Sequence, residues 1–263
     1  MGVGSIIQLI EKLRGENGCP WDRKQTPKSL YIYLVEEIYE LIEAIDSNNQ
    51  DSVCEELGDV LFQILFLINL YQDMGHFDFD SVVDLIVKKM KNRHPHVFGE
   101  EQINSAEAVR EQWHKIKMKE KRHPSNADSV LESVPFKLPA LMRAYRISER
   151  AAKTGFDWHD IFGVLEKVEE ELAELKAVLK AQAPTSKNKD LLASELGDVL
   201  FSLVNVARFA NVHPETALRD STAKFEKRFK YMEKLLSNNR KDMKSMTQGQ
   251  LDELWEEAKE KVD

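Results

Sequence analysis

The sequence ELGDVLF occurs twice in this chain, at residues 56–62 and 195–201, and each copy stands in the same surroundings. An acidic segment precedes each copy, EEIYE at 36–40 and EELAE at 170–174, and GCPWD and GFDWH match further upstream. REQWHKIK and LDELWEEAK match downstream, so the order of the segments is kept. The period is far longer than the roughly 20–50 residues of a solenoid repeat. The sequence therefore predicts one domain duplicated in tandem.

The residues within each copy favour helices. Apolar side chains return at three- and four-residue steps, and no long stretch alternates with the period of a strand. The 263 residues are enough for two small domains. We therefore predict an all-α protein with two four-helix domains, at 1–119 and 138–263. The joint is expected at 120–137, where charged residues, serine and proline are concentrated.

Composition argues against several classes of protein. The net charge of −8 disfavours a nucleic-acid binder that relies on a basic surface. Cys19 and Cys54 are the only cysteines, too few for a disulfide framework or a four-cysteine zinc site, which fits a reducing compartment. The longest apolar run, 60–70, is interrupted by polar residues and is too short to span a bilayer. We expect a cytoplasmic protein that binds neither nucleic acid nor membrane.

Carboxylates gather at the same places in both halves. On a helix, Glu36, Glu37 and Glu40 lie within one arc, while Glu56 and Asp59 share a face of the next helix. Like charges at this spacing repel one another, so a cation is expected to compensate them. Ligands that are all carboxylate oxygens suit a hard ion, Mg²⁺ or Mn²⁺.

The same set returns in the second half with the same spacing inside each segment, as Glu170, Glu171, Glu174, Glu195 and Asp198. An acidic face that only meets solvent has no reason to recur in this way. The ELGDVLF helix that carries the second part of the set is apolar nearly all round and is expected to be buried. The pattern therefore indicates a metal site in each half.

The motif EExxE followed by ExxD resembles the signature of the MazG nucleoside triphosphate pyrophosphohydrolases. The stretches NGCPWDRKQT, RHPHVFGE and LPALMRAYRI also resemble two-domain bacterial members, so the resemblance covers nearly the whole chain. It implies an all-α fold that pairs into helical-bundle dimers, with Mg²⁺ on the acidic cluster. The reaction that it implies converts a nucleoside triphosphate and water into a nucleoside monophosphate and diphosphate.

A triphosphate repels bare carboxylates and approaches them through divalent ions, which fits this chemistry. With the resemblance in hand, Glu171, Glu174, Glu195 and Asp198 are assigned as metal ligands, and Glu170 as a ligand or the general base. The corresponding ligands of the first half are Glu37, Glu40, Glu56 and Asp59, with Glu36 as a further candidate.

Phosphates also need cationic donors. The resemblance favours a nucleotide-binding role for five residues of the second half: Lys167, Lys224, Arg228, Trp255 and Lys259. Lys189, just before the ExxD segment, is added to them as a further candidate. The first half offers Arg93 and Trp113 as second-site candidates. Tyr33 replaces Lys167 there, and Pro95 must end or kink the helix of Arg93. We therefore expect the second domain to be the main catalyst.

Other hypotheses remain open from the sequence. A specialised substrate such as phosphoribosyl-ATP or dUTP would keep the fold and the chemistry, and a helical regulator would sense nucleotide without turnover. A di-iron protein needs Glu-x-x-His on two helices, and only Glu111 to His114 fits, because Glu256 replaces the second histidine. A pocket built on tryptophan stacking predicts broad use of NTPs and dNTPs. The apolar ELGDVLF helices predict a homodimer.

Overall fold

A computed structural model describes residues 2–99, 103, 105–121, 129–180, 186–239 and 242–262. For residues 114, 118, 119, 121, 186 and 187 it describes the backbone alone, so the His114 side chain lies outside the described part. Within the described residues the secondary structure is entirely helical, and the all-α prediction is confirmed. The chain divides into two compact units, Met1–Glu120 and Lys121–Asp263. The linker boundaries stay a prediction, since 122–128 lies outside the described residues.

The two units share a succession of four long helices, and the short helix Pro95–Phe98 of the first unit has no α-helical counterpart among the described residues of the second. The first unit has α1 to α6: Val3–Arg14, Pro27–Asp46, Gln50–Asp73, Phe79–Arg93, Pro95–Phe98 and Ala106–Lys121. The second has α7 to α11: Ala140–Ala152, Ile161–Lys180, Ser186–Phe209, Pro214–Asn238 and Gln248–Val262. Helices α2, α3, α4 and α6 correspond to α8, α9, α10 and α11. Each set of four is preceded by one further helix, α1 or α7.

The α2–α3 hairpin, which carries the first acidic set, is fixed by local signals at its ends. Thr26 and Ser29 cap the start of α2 reciprocally, and Pro27 occupies its first position. Asn48 adopts a left-handed φ of 54° in the turn. The Asn49 side chain then accepts hydrogen bonds from two of the first backbone N–H groups of α3. The chain therefore reverses within three residues and packs α3 along α2.

The repeat extends to the way the long helices end. Gly75 follows α3 with φ 73°, and Asn211 follows α9 with φ 55°. The next backbone N–H in each case, that of His76 or Val212, bonds back to a carbonyl of the last helical turn. Both closures match the Schellman motif, which needs a residue that tolerates left-handed backbone.

Helices α4 and α10 differ as the proline predicts. Helix α4 ends at Arg93, and after His94 the short helix α5 starts at Pro95. The proline ring clashes with the preceding turn and offers no N–H, so α4 cannot continue. Helix α10 has no proline at this point and runs on to Asn238.

The core of the first unit lies on one side of α3. It joins α1, α2 and the C-terminal half of α3 through six buried side chains: Ile10, Leu30, Leu65, Phe66, Ile68 and Leu70. The expected burial of the whole apolar helix is therefore not met within the chain. Leu57 and Leu61 of the first ELGDVLF copy do not belong to this core and stay exposed. Leu196 and Leu200 of the second copy are exposed as well. None of the described helices is both long and apolar enough to cross a membrane.

Candidate functional site

The first acidic set comes together between α2 and α3. Carboxylate oxygens of Glu37, Glu56 and Asp59 lie within 4.8 Å of one another, an arrangement that could hold a metal ion. Gln63, one turn after Asp59 on α3, donates from Nε2 to Glu37 Oε1 at 3.4 Å. Oε2 of Glu56 is buried and has no hydrogen-bond partner. A buried carboxylate oxygen without a donor is costly, and a cation is the partner that this cluster lacks.

The protonation of this cluster reflects its crowding. Burial raises the pKa of Glu37, the Gln63 hydrogen bond opposes that shift, and the charges of Asp59 and Glu40 add to it. Burial likewise raises the pKa of Glu56, together with the charges of Glu40 and Asp59. Glu40 therefore acts on the cluster electrostatically although its oxygens lie outside the close group of three.

The second acidic set forms between α8 and α9. Carboxylate oxygens of Glu171, Glu174 and Glu195 lie within 4.8 Å of one another. Burial raises the pKa of Glu195, and the charges of Glu174 and Asp198 raise it further. Asp198 thus influences the group without belonging to it, whereas its counterpart Asp59 is a member of the first group. The close groups are therefore related but not identical.

Lys167 is a cation built into the second set. Its Nζ lies 2.9 Å from Glu170 Oε1 and 2.8 Å from Glu171 Oε1. These contacts, first with Glu171 and then with Glu170, raise the pKa of the ammonium, so it stays charged. Glu171 is nearly buried, while Glu170 is more than half exposed and lies outside the close group. The corresponding outer acid of the first unit, Glu36, is exposed as well.

An arginine stacks on a tryptophan in each unit. The Arg93 guanidinium lies 5.3 Å from the ring centre of Trp113, and that of Arg228 lies 5.5 Å from the ring centre of Trp255. Phe225 also contacts the Trp255 ring, at 5.2 Å between ring centres. These contacts pair α4 with α6 and α10 with α11 in the same way. The aromatic and cationic candidates therefore occupy equivalent places in the two units.

Glu120 distinguishes the first of these pairs. Arg93 is buried and donates from both Nε, at 2.9 Å, and Nη2 to Glu120 Oε2. This contact holds the pKa of Glu120 below its ordinary value. The equivalent position of the second unit is Val262, which cannot accept such a bond. An anion that meets Arg93 in the first unit has to displace the Glu120 carboxylate.

The remaining nucleotide-binding candidates lie on the surface of the second unit. Lys189 on α9 and Lys224 on α10 are exposed, and Lys259 is half-buried beside Glu256 on α11. In the described part of the chain, only Lys167 of the predicted cations forms an ion pair with the acidic set.

Two contributors were not recognised from the sequence as part of a site. Gln63 could have been found by its position, since it continues the helical face of Glu56 and Asp59. Glu120 carried no such signal, because its partner Arg93 is 27 residues away.

The chain matches known proteins over nearly its whole length. A family model for the MazG nucleotide pyrophosphohydrolase domain matches twice, at residues 25–98 and 156–232. The chain is 46% identical over 254 residues to nucleoside triphosphate pyrophosphohydrolase/pyrophosphatase MazG of Thermotoga maritima, covering 97% of this chain and 94% of that protein. It is 36% identical over 258 residues to the nucleoside triphosphate pyrophosphohydrolase of Escherichia coli, covering 98% and 97%.

Among solved structures, a mazG-related protein from Thermotoga maritima is 32% identical and covers 44% of this chain and 98% of that one, with a TM-score of 0.39. The family assignment rests on the sequence matches, which include both acidic sets and extend over nearly the whole of both relatives. The resemblance noted in the motifs is thereby confirmed, and the chain belongs to the family of MazG nucleotide pyrophosphohydrolases.

Proposed function

We propose that this protein is a Mg²⁺-dependent nucleoside triphosphate pyrophosphohydrolase, which cleaves the α–β phosphoanhydride bond to release a nucleoside monophosphate and diphosphate. The observation that carries the proposal is the close group of Glu171, Glu174 and Glu195 with Lys167 in contact. Both relatives are named nucleoside triphosphate pyrophosphohydrolases, which supports the substrate class. Mn²⁺ is the expected substitute for Mg²⁺, since both accept oxygen ligands.

The donor set fits a hard divalent ion. All close members are carboxylates, and the buried Glu56 Oε2 has no hydrogen-bond partner. Burial, and then the neighbouring charges of Glu174 and Asp198, raise the pKa of Glu195. The ligands that we propose are Glu171, Glu174, Glu195 and Asp198 in the second unit, and Glu37, Glu40, Glu56 and Asp59 in the first. When bound, the ion supplies positive charge for the phosphate oxygens and lowers the pKa of a water that can attack phosphorus.

Glu170 is the carboxylate best suited to accept the proton of the attacking water. It lies one residue from the nearly buried Glu171, outside the close group, and more than half of its side chain is exposed. A base outside the ligand set keeps a lone pair available for the proton. Lys167, between these two glutamates, is suited to orient a phosphate oxygen beside them, since its ammonium has three donors.

Further cations are proposed to hold the triphosphate, with Trp255 contributing a stacking surface for the base. They are Lys189, Lys224, Arg228 and Lys259. Stacking accepts every nucleobase, so we propose broad use of NTPs and dNTPs. The second unit is proposed as the main catalyst, because Tyr33 replaces Lys167 in the first and Glu120 already occupies Arg93 there.

A homodimer is the proposed assembly. Large apolar side chains remain exposed on both hairpins: Val35, Ile38, Leu57, Leu61, Leu165, Leu196, Leu200 and Leu203. A second copy is a suitable cover for such surfaces, because contiguous exposed apolar area on a monomer is normally small.

Light scattering after size exclusion should give twice the mass of the chain. A paired Leu61→Glu and Leu200→Glu variant should shift the mass toward one chain, and a monomeric parent protein would contradict the proposal.

Product analysis by ion-exchange chromatography tests the reaction. The protein is incubated with each of the canonical NTPs and dNTPs, with Mg²⁺ and then with EDTA. We expect metal-dependent monophosphate and diphosphate, lost in Glu174→Gln and reduced far less in Glu40→Gln. Nucleoside diphosphate and phosphate as products would contradict the bond assignment. No turnover of any of these nucleotides would contradict the substrate class.

A further inference from the structure

The two acidic sets differ in one built-in positive charge. In the second unit, Lys167 contacts Glu170 and Glu171 at 2.9 and 2.8 Å. Tyr33 stands at the equivalent place in the first unit, and its ring packs edge-on against Trp21 with ring centres 5.6 Å apart. In the described part of the chain, no lysine, arginine or histidine forms an ion pair with the five acids of the first set. Two sites with nearly the same ligands therefore start from different electrostatic states.

Glu171 has two competing uses. It is the acid that Lys167 contacts most closely, and it is also a member of the close group with Glu174 and Glu195. A divalent ion that binds this group must share or displace the ammonium on a nearly buried carboxylate. Two cations at contact distance repel each other strongly where water is scarce. Its counterpart Glu37 has no cationic partner among the described residues and accepts a hydrogen bond from the neutral amide of Gln63, at 3.4 Å.

Lys167 is able to leave Glu171. About a third of its side chain is exposed, and it is joined to the helix by a flexible four-carbon stem. Its ammonium needs a new anionic partner when an ion takes its place. A phosphate oxygen of the nucleotide is the partner that would arrive together with that ion.

We propose that Lys167 is a displaceable counter-ion that weakens divalent-metal binding by the second unit until a triphosphate is present, whereas the first unit binds a divalent ion on its own. Metal binding by the second unit is thereby coupled to nucleotide, and metal binding by the first is not. The nucleotide arm of this inference rests on the proposed function. The metal arm rests on the ion pairs alone.

Mn²⁺ is the probe for the metal arm, and free Mn²⁺ is measured by electron paramagnetic resonance in a titration of the full chain without nucleotide. A background with Glu56→Gln and Asp59→Asn removes the first site, so that the second is seen alone. In this background, Lys167→Met should bind Mn²⁺ roughly tenfold more tightly than its parent. In the complementary Glu195→Gln background, Tyr33→Lys should weaken Mn²⁺ binding by a similar factor.

Two matched variants control for charge and for folding. Lys167→Arg keeps the positive charge and should leave Mn²⁺ binding weak. Lys180→Met makes the same change in net charge near the end of α8 and should alter Mn²⁺ affinity less than about threefold, because exposed charges farther away are screened. Far-UV circular dichroism confirms that each variant is helical. An unchanged or weaker Mn²⁺ affinity in a folded Lys167→Met variant would overturn the inference.

A non-hydrolysable α,β-methylene triphosphate tests the nucleotide arm. It should tighten Mn²⁺ binding in the parent background more than in Lys167→Met. Equal tightening in both would overturn the coupling through Lys167. If the analogue changes Mn²⁺ binding in neither protein while Lys167→Met still binds Mn²⁺ more tightly, the counter-ion stands and the proposed substrate class is contradicted. The two failures are therefore distinguishable.

Discussion

The two units share their acids and differ in the cations around them. The first groups Glu37, Glu56 and Asp59 without an ion-paired partner in the described structure, and the second groups three acids beside Lys167. Farther along the chain the asymmetry is reversed. There the first unit pairs Arg93 with Glu120, and Val262 replaces that acid in the second unit. Beside the acids, the second unit has Lys167 and the first has Tyr33. At the position that pairs with Arg93 in the first unit, the first unit has Glu120 and the second has Val262.

This difference teaches that repeated ligands do not by themselves make two equivalent sites. A triphosphate brings about four negative charges, and a site must balance them with both metal ions and side chains. The first unit has the acids to hold a metal but has its arginine engaged by Glu120. The second unit is proposed to combine a metal site with a cation, Lys167, that contacts its acids. Each prediction below changes one member of an equivalent pair, so that the other member is its control.

The largest expected effect comes from neutralising the equivalent glutamates of α9 and α3. Glu195→Gln should lower turnover at least about a hundredfold, because it removes a carboxylate at which charge must be balanced during the reaction. Glu56→Gln should reduce turnover far less. Both substitutions should raise the Tm of the metal-free protein, because each removes a charge whose pKa is raised by burial. Steady-state kinetics and calorimetry in EDTA measure the two effects.

Equal loss of turnover in Glu195→Gln and Glu56→Gln would show that both units contribute to catalysis, and would contradict the asymmetry. A lower Tm in both variants would contradict the electrostatic account of the clusters. The isosteric amide keeps the volume of the side chain, so packing is nearly unchanged in either variant.

The pH dependence of stability should reflect the burial and crowding of these carboxylates. The pKa values of Glu37, Glu56 and Glu195 are raised in the fold, so the native state binds more protons than the unfolded chain above their ordinary pKa of about 4.5. Their contribution to stability is therefore fully present below that pH and is lost as pH rises through the raised values. Mg²⁺ should restore this loss near pH 7 and have little effect near pH 4.

Thermal unfolding in EDTA and in Mg²⁺, followed across this range, measures the effect. The Glu37→Gln, Glu56→Gln and Glu195→Gln triple variant is the control, and its Tm should depend less on pH and on Mg²⁺. A parent protein whose Tm in EDTA responds to pH no more than that of the triple variant would contradict the assignment of the shifts to these clusters.

Much of this arrangement could be predicted from the sequence, and the reasons are local. The spacing of Glu37 and Glu40 places both on one helical face, and the motif that follows puts Glu56 and Asp59 on the next helix. Pro95 ends α4 because a backbone clash depends only on neighbouring residues. The duplication then served as an internal control, since an accidental acidic face would not have recurred with its spacing intact.

The rest depends on distant pairs and on side-chain conformations. Glu120, the first residue of the predicted linker, lies in the last turn of α6 and meets an arginine 27 positions earlier. Periodicity does not encode such a pairing. Asp59 belongs to the first close group, whereas Asp198 lies outside the second. Sequence spacing does not explain this difference, because α3 and α9 carry the same ExxD motif. The difference lies in the side-chain conformations of the two sets.

A reciprocal exchange at Glu120 and Val262 tests the second asymmetry. Val262→Glu should place a carboxylate where it competes with phosphate for Arg228, raising KM by roughly threefold to tenfold with little change in kcat. Val262→Gln offers a similar volume without the charge and should leave KM nearly unchanged. A fall in kcat with unchanged KM would contradict a role for Arg228 in binding the ground-state nucleotide.

The matching change in the first unit acts on stability. Glu120→Gln should lower the Tm by a few degrees, because the buried Arg93 loses its charged partner and keeps only the Trp113 ring and a neutral acceptor. Nucleotide turnover should change little, since we propose the second unit as the main catalyst. Differential scanning calorimetry with and without Mg²⁺ measures the shift, and an unchanged Tm would mean that the ion pair contributes nothing to the fold.

The smallest expected effect belongs to Gln63, whose counterpart in the second unit is Ser202. The contact between Gln63 Nε2 and Glu37 Oε1, at 3.4 Å, is near the limit of a hydrogen bond, so it stabilises the carboxylate only weakly. Gln63→Leu should raise the pKa of Glu37 further and change the Mn²⁺ affinity of the first unit by less than about threefold. Gln63→Lys supplies a charge at the same place and should weaken Mn²⁺ binding more than Gln63→Leu. If Gln63→Leu weakened Mn²⁺ binding as strongly as Gln63→Lys, the Gln63 amide itself would be required for metal binding. The difference in Mn²⁺ affinity between the two units could then not be attributed to the cation that contacts only the second acidic set.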